Sequence, residues 1–189
     1  VNNGLVGCNV TVPFKENAYR FSTELTIQAQ EAGAVNTLKF VGDQVLGHNT
    51  DGDGLLCDLT ERHQLNLSQQ RILVLGAGGA AMGILGPLLR ANPREVVISN
   101  RTFEKAQSLA DNFKAVGNSV ACEWSRLSGR FDLIINATSS SLSNEFTPLP
   151  CEIDSATNGD AFTYADQPTE FKDYLHSYGL QKHFAALAP

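Results

Sequence analysis

Lys15 stands two residues beyond Pro13, at the end of "GCNVTVPFK" (7–15), a short β-type run that the proline stops. A cation in such a place can move a proton when a carboxylate lies beside it. The same half of the chain offers Asp51 in "NTDGDG", Asn36 in "GAVNT" and Thr11, each at the end of a β-type run. Polar side chains that converge at strand ends orient a small polyol by hydrogen bonds. Hydride transfer at an alcohol carbon needs a proton to move at its oxygen, which a lysine beside a carboxylate can do. These residues alone also allow a plainer account, with Lys15 exposed at a helix start and Asp51 capping a helix.

A second constellation is the stretch "RILVLGAGGAA", where Gly76, Gly78 and Ala81 make a G-x-G-x-x-A between a buried strand and a helix. Gly76 permits the tight turn, Gly78 lets a pyrophosphate approach the backbone, and Ala81 lets the helix pack closely. Gly76, Ala77, Gly78, Gly79 and Ala80 are therefore expected to hold a dinucleotide's phosphates, helped by the positive end of the helix. The end of the next strand decides which dinucleotide binds. An NAD site usually places a carboxylate there, whereas this chain has Asn100, Arg101 and Thr102. Arg101 and Lys105 both lie near a helix start, where cations oppose the helix dipole unless an anion binds, so the expected cofactor is NADP. "NATSSS" (136–141), with Thr138, is read as the loop over the cofactor, a plain surface loop being the equal alternative.

The elements that must position these groups follow from periodicity. Ala18, Phe21, Leu25, Ile27 and Ala29 recur near helical spacing and predict one helix over 16–30. "VNTLKFVGDQVLGHN" predicts a hairpin about Gly42-Asp43, and "DGDGLLCDLTERH" a helix with glycines at its head. The pattern changes at Ile72. Beyond it, expected strands at 72–75, 95–99, 119–122 and 131–135 alternate with helices at 80–91 and 103–113. Such alternation implies parallel pairing with right-handed crossovers. The expected fold is α/β, a Rossmann-type doubly wound parallel sheet plus a partial α/β substrate-binding domain. The expected domains are 1–65 for substrate and 66–189 for cofactor, the end of the latter being free to return toward the former.

Composition narrows the partners. A net charge of −6 argues against nucleic acid. No apolar run approaches the length that spans a bilayer, and the start lacks a basic segment followed by an apolar one. Cys8, Cys57, Cys122 and Cys151 lie far apart and are read as buried free thiols of a cytoplasmic protein. Four N-x-S/T triplets, at Asn9, Asn66, Asn100 and Asn136, are not read as glycosylation sites, because Asn9 lies in an apolar strand and two others end buried-looking strands. His48, His63, His176 and His183 show no metal spacing, so no metal is expected. A homodimer is an allowed assembly.

"GCNVTVPFK", "GAVNT", "NTDG", "GAGGAA", "NRT" and "INATS", in this order, closely resemble shikimate dehydrogenases from about residue 7 to 179. Members of that family interconvert 3-dehydroshikimate and shikimate with NADP, in the biosynthesis of chorismate and the aromatic amino acids. The resemblance implies that Lys15 and Asp51 form the catalytic pair and that Thr11 and Asn36 hold substrate. It also implies that Asn100, Arg101, Thr102 and Lys105 clamp the 2′-phosphate. Tyr164 would be a further substrate contact by the same resemblance, although Gly159, Ala161 and Glu170 depart from the family's pattern around it. A serine-bearing motif expected before this stretch and a glutamine-bearing helix expected after it do not occur, which implies a fragment of a longer enzyme. Two alternatives stand beside this one: a quinate/shikimate dehydrogenase with relaxed use of NAD, and a non-catalytic NADP-binding paralogue.

Overall fold

The computed structural model describes residues 5–11, 13–138 and 153–163. They group into two compact units. One holds the described residues up to Asn66 together with Met82–Leu88; the other holds Leu67–Ala81 and the described residues from Leu89 onward.

In the first unit, strands β1 (Gly7–Asn9), β2 (Glu24–Leu25), β3 (Thr37–Val41) and β4 (Gln44–His48) form a sheet in the order β1-β3-β4-β2. β3 and β4 are the expected hairpin: Val41 pairs with Gln44 across Gly42-Asp43, and Gly42 takes φ 59°, which a two-residue turn favours and glycine adopts without strain. The helix predicted over 16–30 is instead two, α1 (Lys15–Phe21) and α2 (Ile27–Ala32), with β2 between them, parallel to β4.

Hydroxyl groups account for that break. Ser22 is extended and its Oγ donates to the Ala18 carbonyl, and Thr23 Oγ1 donates to the Val45 carbonyl and accepts from the Val45 N–H. Thr26 Oγ1 then accepts from Ala29 N–H as the cap of α2. Ser and Thr offer the backbone such alternatives to a continuous helix. The apolar spacing survives the break because both short helices face one core, in which Ala18 and Ala29 are buried with Val35, Leu38 and Val45.

Helix α3 (Asp51–Cys57) continues into one π-helical turn, Asp58–Arg62. Its start packs against Met82–Leu88, the middle turns of α4 (Gly79–Arg90), which belong to this unit. A Cβ on Gly52 would lie 2.5 Å from the Gly83 carbonyl oxygen and 2.7 Å from Pro87 Cγ. Pro87 has no N–H to offer the Gly83 carbonyl four residues before it, and glycine at 52 lets α3 approach that oxygen closely.

The second unit carries β5 (Arg71–Leu75), β6 (Glu95–Ser99), β7 (Ser119–Ala121), β8 (Gly129–Asn136) and β9 (Ile153–Thr163) in the order β7-β6-β5-β8-β9, every pair parallel. This is the Rossmann-type sheet that the alternation predicts. Its core buries Leu73, Leu75, Val97, Leu127, Phe131 and Ile134. At the strand starts, Arg71 gives its N–H to Asp132, its Nε to Glu95 at 2.6 Å, and its guanidinium face to the Phe131 ring at 4.2 Å. One cation thus ties β5 to both neighbours at the end of the sheet opposite the glycine loop. Strand β9 has no counterpart among the predicted elements: Asn158-Gly159-Asp160 lies within it and reads as a turn. The ladder with β8 accommodates that local preference rather than overriding it: the register passes from Phe131–Ser155 to Leu133–Asp160, so Asn158 and Gly159 fall within the irregularity.

Candidate active site

The polar side chains of the first unit meet in a cavity of about 310 Å³ lined by Asn9, Thr11, Lys15, Asn36, Thr50 and Asp51, among others. Lys15 is the first residue of α1, just past the Pro13 turn, where Phe14 N–H bonds the Thr11 carbonyl at 2.8 Å. Its Nζ lies 2.7 Å from Asp51 Oδ2, the two side chains being 26% and 19% exposed. The pair is therefore sheltered yet open to a small molecule.

Asp51 is held on its other oxygen. Asn36 Nδ2 donates to Asp51 Oδ1 at 2.8 Å and to Thr50 Oγ1 at 3.0 Å, while Asn36 Oδ1 accepts from Thr50 N–H and from the Thr37 hydroxyl. The Asn36 backbone is fixed in turn, its N–H on the His48 carbonyl and its carbonyl on Val10 N–H. Val35 N–H reaches the Lys15 carbonyl at 3.0 Å. One short segment between α2 and β3 thus fastens β1, the start of α1 and the end of β4 around the same cavity.

Thr11, Lys15, Asn36 and Asp51 all line this cavity, as do Asn9 and Thr50, to which the sequence reading gives no part in a site. The signal for Thr50 is present in "NTDG", where a polar run precedes a helix, but only the Asp carries a charge that singles it out. Tyr164 lies outside the described residues.

The second unit brings its predicted residues to the carboxyl ends of β5, β6 and β8. Gly76 follows β5 with φ +105°, and a Cβ there would stand 2.8 Å from the Ala137 carbonyl oxygen. Only glycine fits that turn without strain. Gly78 and Gly79 have open space where a Cβ would project, and the first turn of α4 begins at Gly79. Helix N-termini present N–H groups with no intrahelical acceptor, so the loop fits a phosphate group. Asn100 ends β6 by donating to the Thr102 carbonyl at 2.9 Å, and Arg101, Thr102 and Lys105 are exposed at the start of α5 (Phe103–Phe113). At the end of β8, Thr138 gives both its N–H and its hydroxyl to Asn136 Oδ1. Because β6 lies on one side of β5 and β8 on the other, the glycine loop occupies the point where strand order reverses, the usual ligand position of such sheets.

Gly76→Ala is expected to lose about 1–3 kcal/mol, the usual cost of a residue forced into a disfavoured backbone region. A thermal melt of the variant beside the parent checks this, and an unchanged midpoint would mean that the turn relaxes freely.

A glycine loop at the switch point of a parallel sheet, in a chain that also carries a polar lysine–carboxylate cavity, defines a Rossmann-type α/β protein with a second, smaller unit. Residues 1–38 match the family described as "Shikimate dehydrogenase substrate binding domain", and residues 58–144 the one described as "Shikimate / quinate 5-dehydrogenase". The chain is 49% identical over 184 residues to a protein of Vibrio campbellii named "Shikimate dehydrogenase (NADP(+))", covering 96% of this chain and 66% of that protein. It is 56% identical over 140 residues to a protein of the same name from Psychromonas ingrahamii, covering 74% of this chain and 51% of that one. Among solved structures, it is similar to shikimate 5-dehydrogenase from Thermus thermophilus in complex with NADP(H) and shikimate, with 32% identity, a TM-score of 0.70, and coverage of 85% of this chain and 59% of the other. The chain belongs to the shikimate/quinate dehydrogenase family. It spans between about half and two thirds of the length of these relatives.

Proposed function

We propose that this chain carries the catalytic pair and the cofactor loop of an NADP-dependent shikimate dehydrogenase, which reversibly reduces 3-dehydroshikimate to shikimate. The observation that carries the proposal is the Lys15–Asp51 ion pair at 2.7 Å, braced by Asn36 in a cavity that Asn9, Thr11, Thr37 and Thr50 line with amide and hydroxyl groups beside Val10. Such a lining suits a small polyhydroxylated ring. In the reducing direction Lys15 gives a proton from Nζ to the carbonyl oxygen while the carbon gains a hydride; in the oxidising direction the same nitrogen takes the proton back. Asp51 keeps Lys15 aimed and offsets its charge in the half-buried site, and Thr11 and Asn36 orient the ring by hydrogen bonds. Bound NADP supplies the hydride donor and acceptor.

The choice of NADP rests on Asn100, Arg101 and Thr102 at the end of β6, where no carboxylate stands to favour an unphosphorylated ribose. Lys105, in the first turn of α5, adds a second cation at the start of the same helix. Gly76 to Ala80 would hold the pyrophosphate, with Thr138 at the neighbouring strand end. The division of labour follows the expected domains, 1–65 for substrate and 66–189 for cofactor. The test is shikimate-dependent reduction of NADP, followed by the absorbance of the reduced nicotinamide, beside titrations of shikimate and NADP. Saturable binding of both with turnover is the expected result. A chain that binds NADP but neither binds nor oxidises shikimate would overturn the substrate assignment.

A further inference from the structure

We infer that Asn49 is a positioning residue, whose buried carboxamide holds Asp51 in register with Lys15 and Asn36. The inference rests on the proton-transfer role proposed above for that pair. Asn49 is 2% exposed and touches two backbones that the site depends on. Its Nδ2 donates to the Ala34 carbonyl at 3.1 Å, and its Oδ1 accepts from Asp51 N–H at 3.0 Å.

Ala34 opens the segment whose next two residues fasten the site, Val35 through the Lys15 carbonyl and Asn36 through Val10 and His48. Asp51 N–H belongs to the first residue of α3. One side chain therefore joins the backbone that carries Asn36 to the backbone that carries Asp51. The side chains of those two residues then meet at 2.8 Å.

The arrangement also explains how α3 begins. Thr50, the residue before the helix, makes no capping bond with its own side chain; its N–H and hydroxyl turn to Asn36 Oδ1 instead. The Asn49 carboxamide takes over at Asp51 N–H by closing an Asx-type turn two residues long, which frees Thr50 for the cavity. A buried carboxamide costs free energy unless its groups are bonded, and both ends of this one are. Nothing in this geometry requires Asn49 to touch substrate, so it acts through Asp51.

Two substitutions separate positioning from plain stability. Asn49→Ala removes both bonds. Asn49→Ser keeps an oxygen able to close the same two-residue turn on Asp51 N–H, but it is too short to reach the Ala34 carbonyl. The primary readout needs no turnover: the rate at which Lys15 Nζ is acylated by an N-hydroxysuccinimide ester, mapped by mass spectrometry, with exposed Lys39 as internal reference. Losing the Asp51 anchor should loosen the ion pair and speed acylation of Lys15 relative to Lys39 by about three- to tenfold in the Ala variant, the range that one net hydrogen bond allows.

The Ser variant should return to within about twofold of the parent, while both variants melt earlier for want of a donor to Ala34. In turnover, kcat with shikimate should fall and recover in the same order, with KM for NADP unchanged. Should the Ala variant not fold, Asn49→Val, which fills more of the carboxamide's volume, takes its place beside Ser. A Lys15 rate equal to the parent's in the Ala or Val variant, or raised equally in the Ser variant, would overturn the positioning role. Because labelling is read without substrate, a chain lacking shikimate turnover would sink the proposed activity and still decide the part played by Asn49.

Discussion

Lys15→Met should lower kcat for shikimate oxidation by at least about a hundredfold, the usual contribution of a positioned proton-transfer group. Methionine keeps the length and the apolar stem of lysine, so the walls of the cavity should stay in place. Asp51 would lose the ammonium at 2.7 Å but keep the Asn36 amide at 2.8 Å and its backbone anchor on Asn49. A carboxylate with those partners remains bonded, and the pair is partly open to water, so the folded state should lose little. The glycine loop is made of other residues, and NADP affinity should stay within about twofold of the parent, since residues that share no partners usually act additively. The decisive comparison is therefore kcat against NADP Kd and thermal midpoint in one preparation. Near-parental turnover would remove Lys15 from the chemistry, and a parallel fall in all three would make it a structural lysine.

Local pattern and long-range pairing divided the fold between them. The parallel sheet was legible because its strands are apolar runs set between helices of ordinary length, and because Gly76 falls where a strand must turn sharply. The β3–β4 hairpin was legible for a similar reason, as Gly42-Asp43 is itself a turn signal. The helix predicted over 16–30 failed because apolar spacing cannot show a break when the helices on both sides face the same core; Ser22, Thr23 and Thr26 carried that information through their hydroxyls. Strand β9 was hidden by Asn158-Gly159-Asp160, a turn signal that here marks an irregularity within the ladder to β8, between the pairs Phe131–Ser155 and Leu133–Asp160.

The site followed the same division. Lys15 and Asp51 stand out as charged residues at the ends of apolar runs, and so could be singled out from the sequence. Their separation of 36 residues gives no hint of a 2.7 Å contact, which depends on the segment between α2 and β3. Asn49 and Thr50 differ from Asp51 in having no charge to mark them. Only the hydrogen bonds show that one supports the aspartate through its backbone and the other borders the cavity.

Arg101→Gln should weaken NADP binding by at least about tenfold and leave NAD binding within about twofold, because a hydrogen bond to a charged group is worth about 1.5–3 kcal/mol. The geometry supports a selective loss. Asn100 bonds the Thr102 carbonyl at 2.9 Å and so shapes the turn through its own side chain. Glutamine retains length and polarity but not charge, and an NAD ribose has no phosphate to miss that charge. Lys105→Gln should act in the same direction with a smaller effect, since an exposed ammonium is well hydrated and binds phosphate as a point charge rather than as a planar fork. Salt gives an independent check. Raising ionic strength should weaken NADP binding to the parent more than to the Arg101 variant, because an exposed charge interaction is screened over about 10 Å at 0.1 M salt. Titration of both cofactors at two salt concentrations reads all of these effects together. If Arg101→Gln lowered NAD and NADP affinity equally, the residue would be shaping the loop, and the preference for the 2′-phosphate would have to reside elsewhere in the turn after β6.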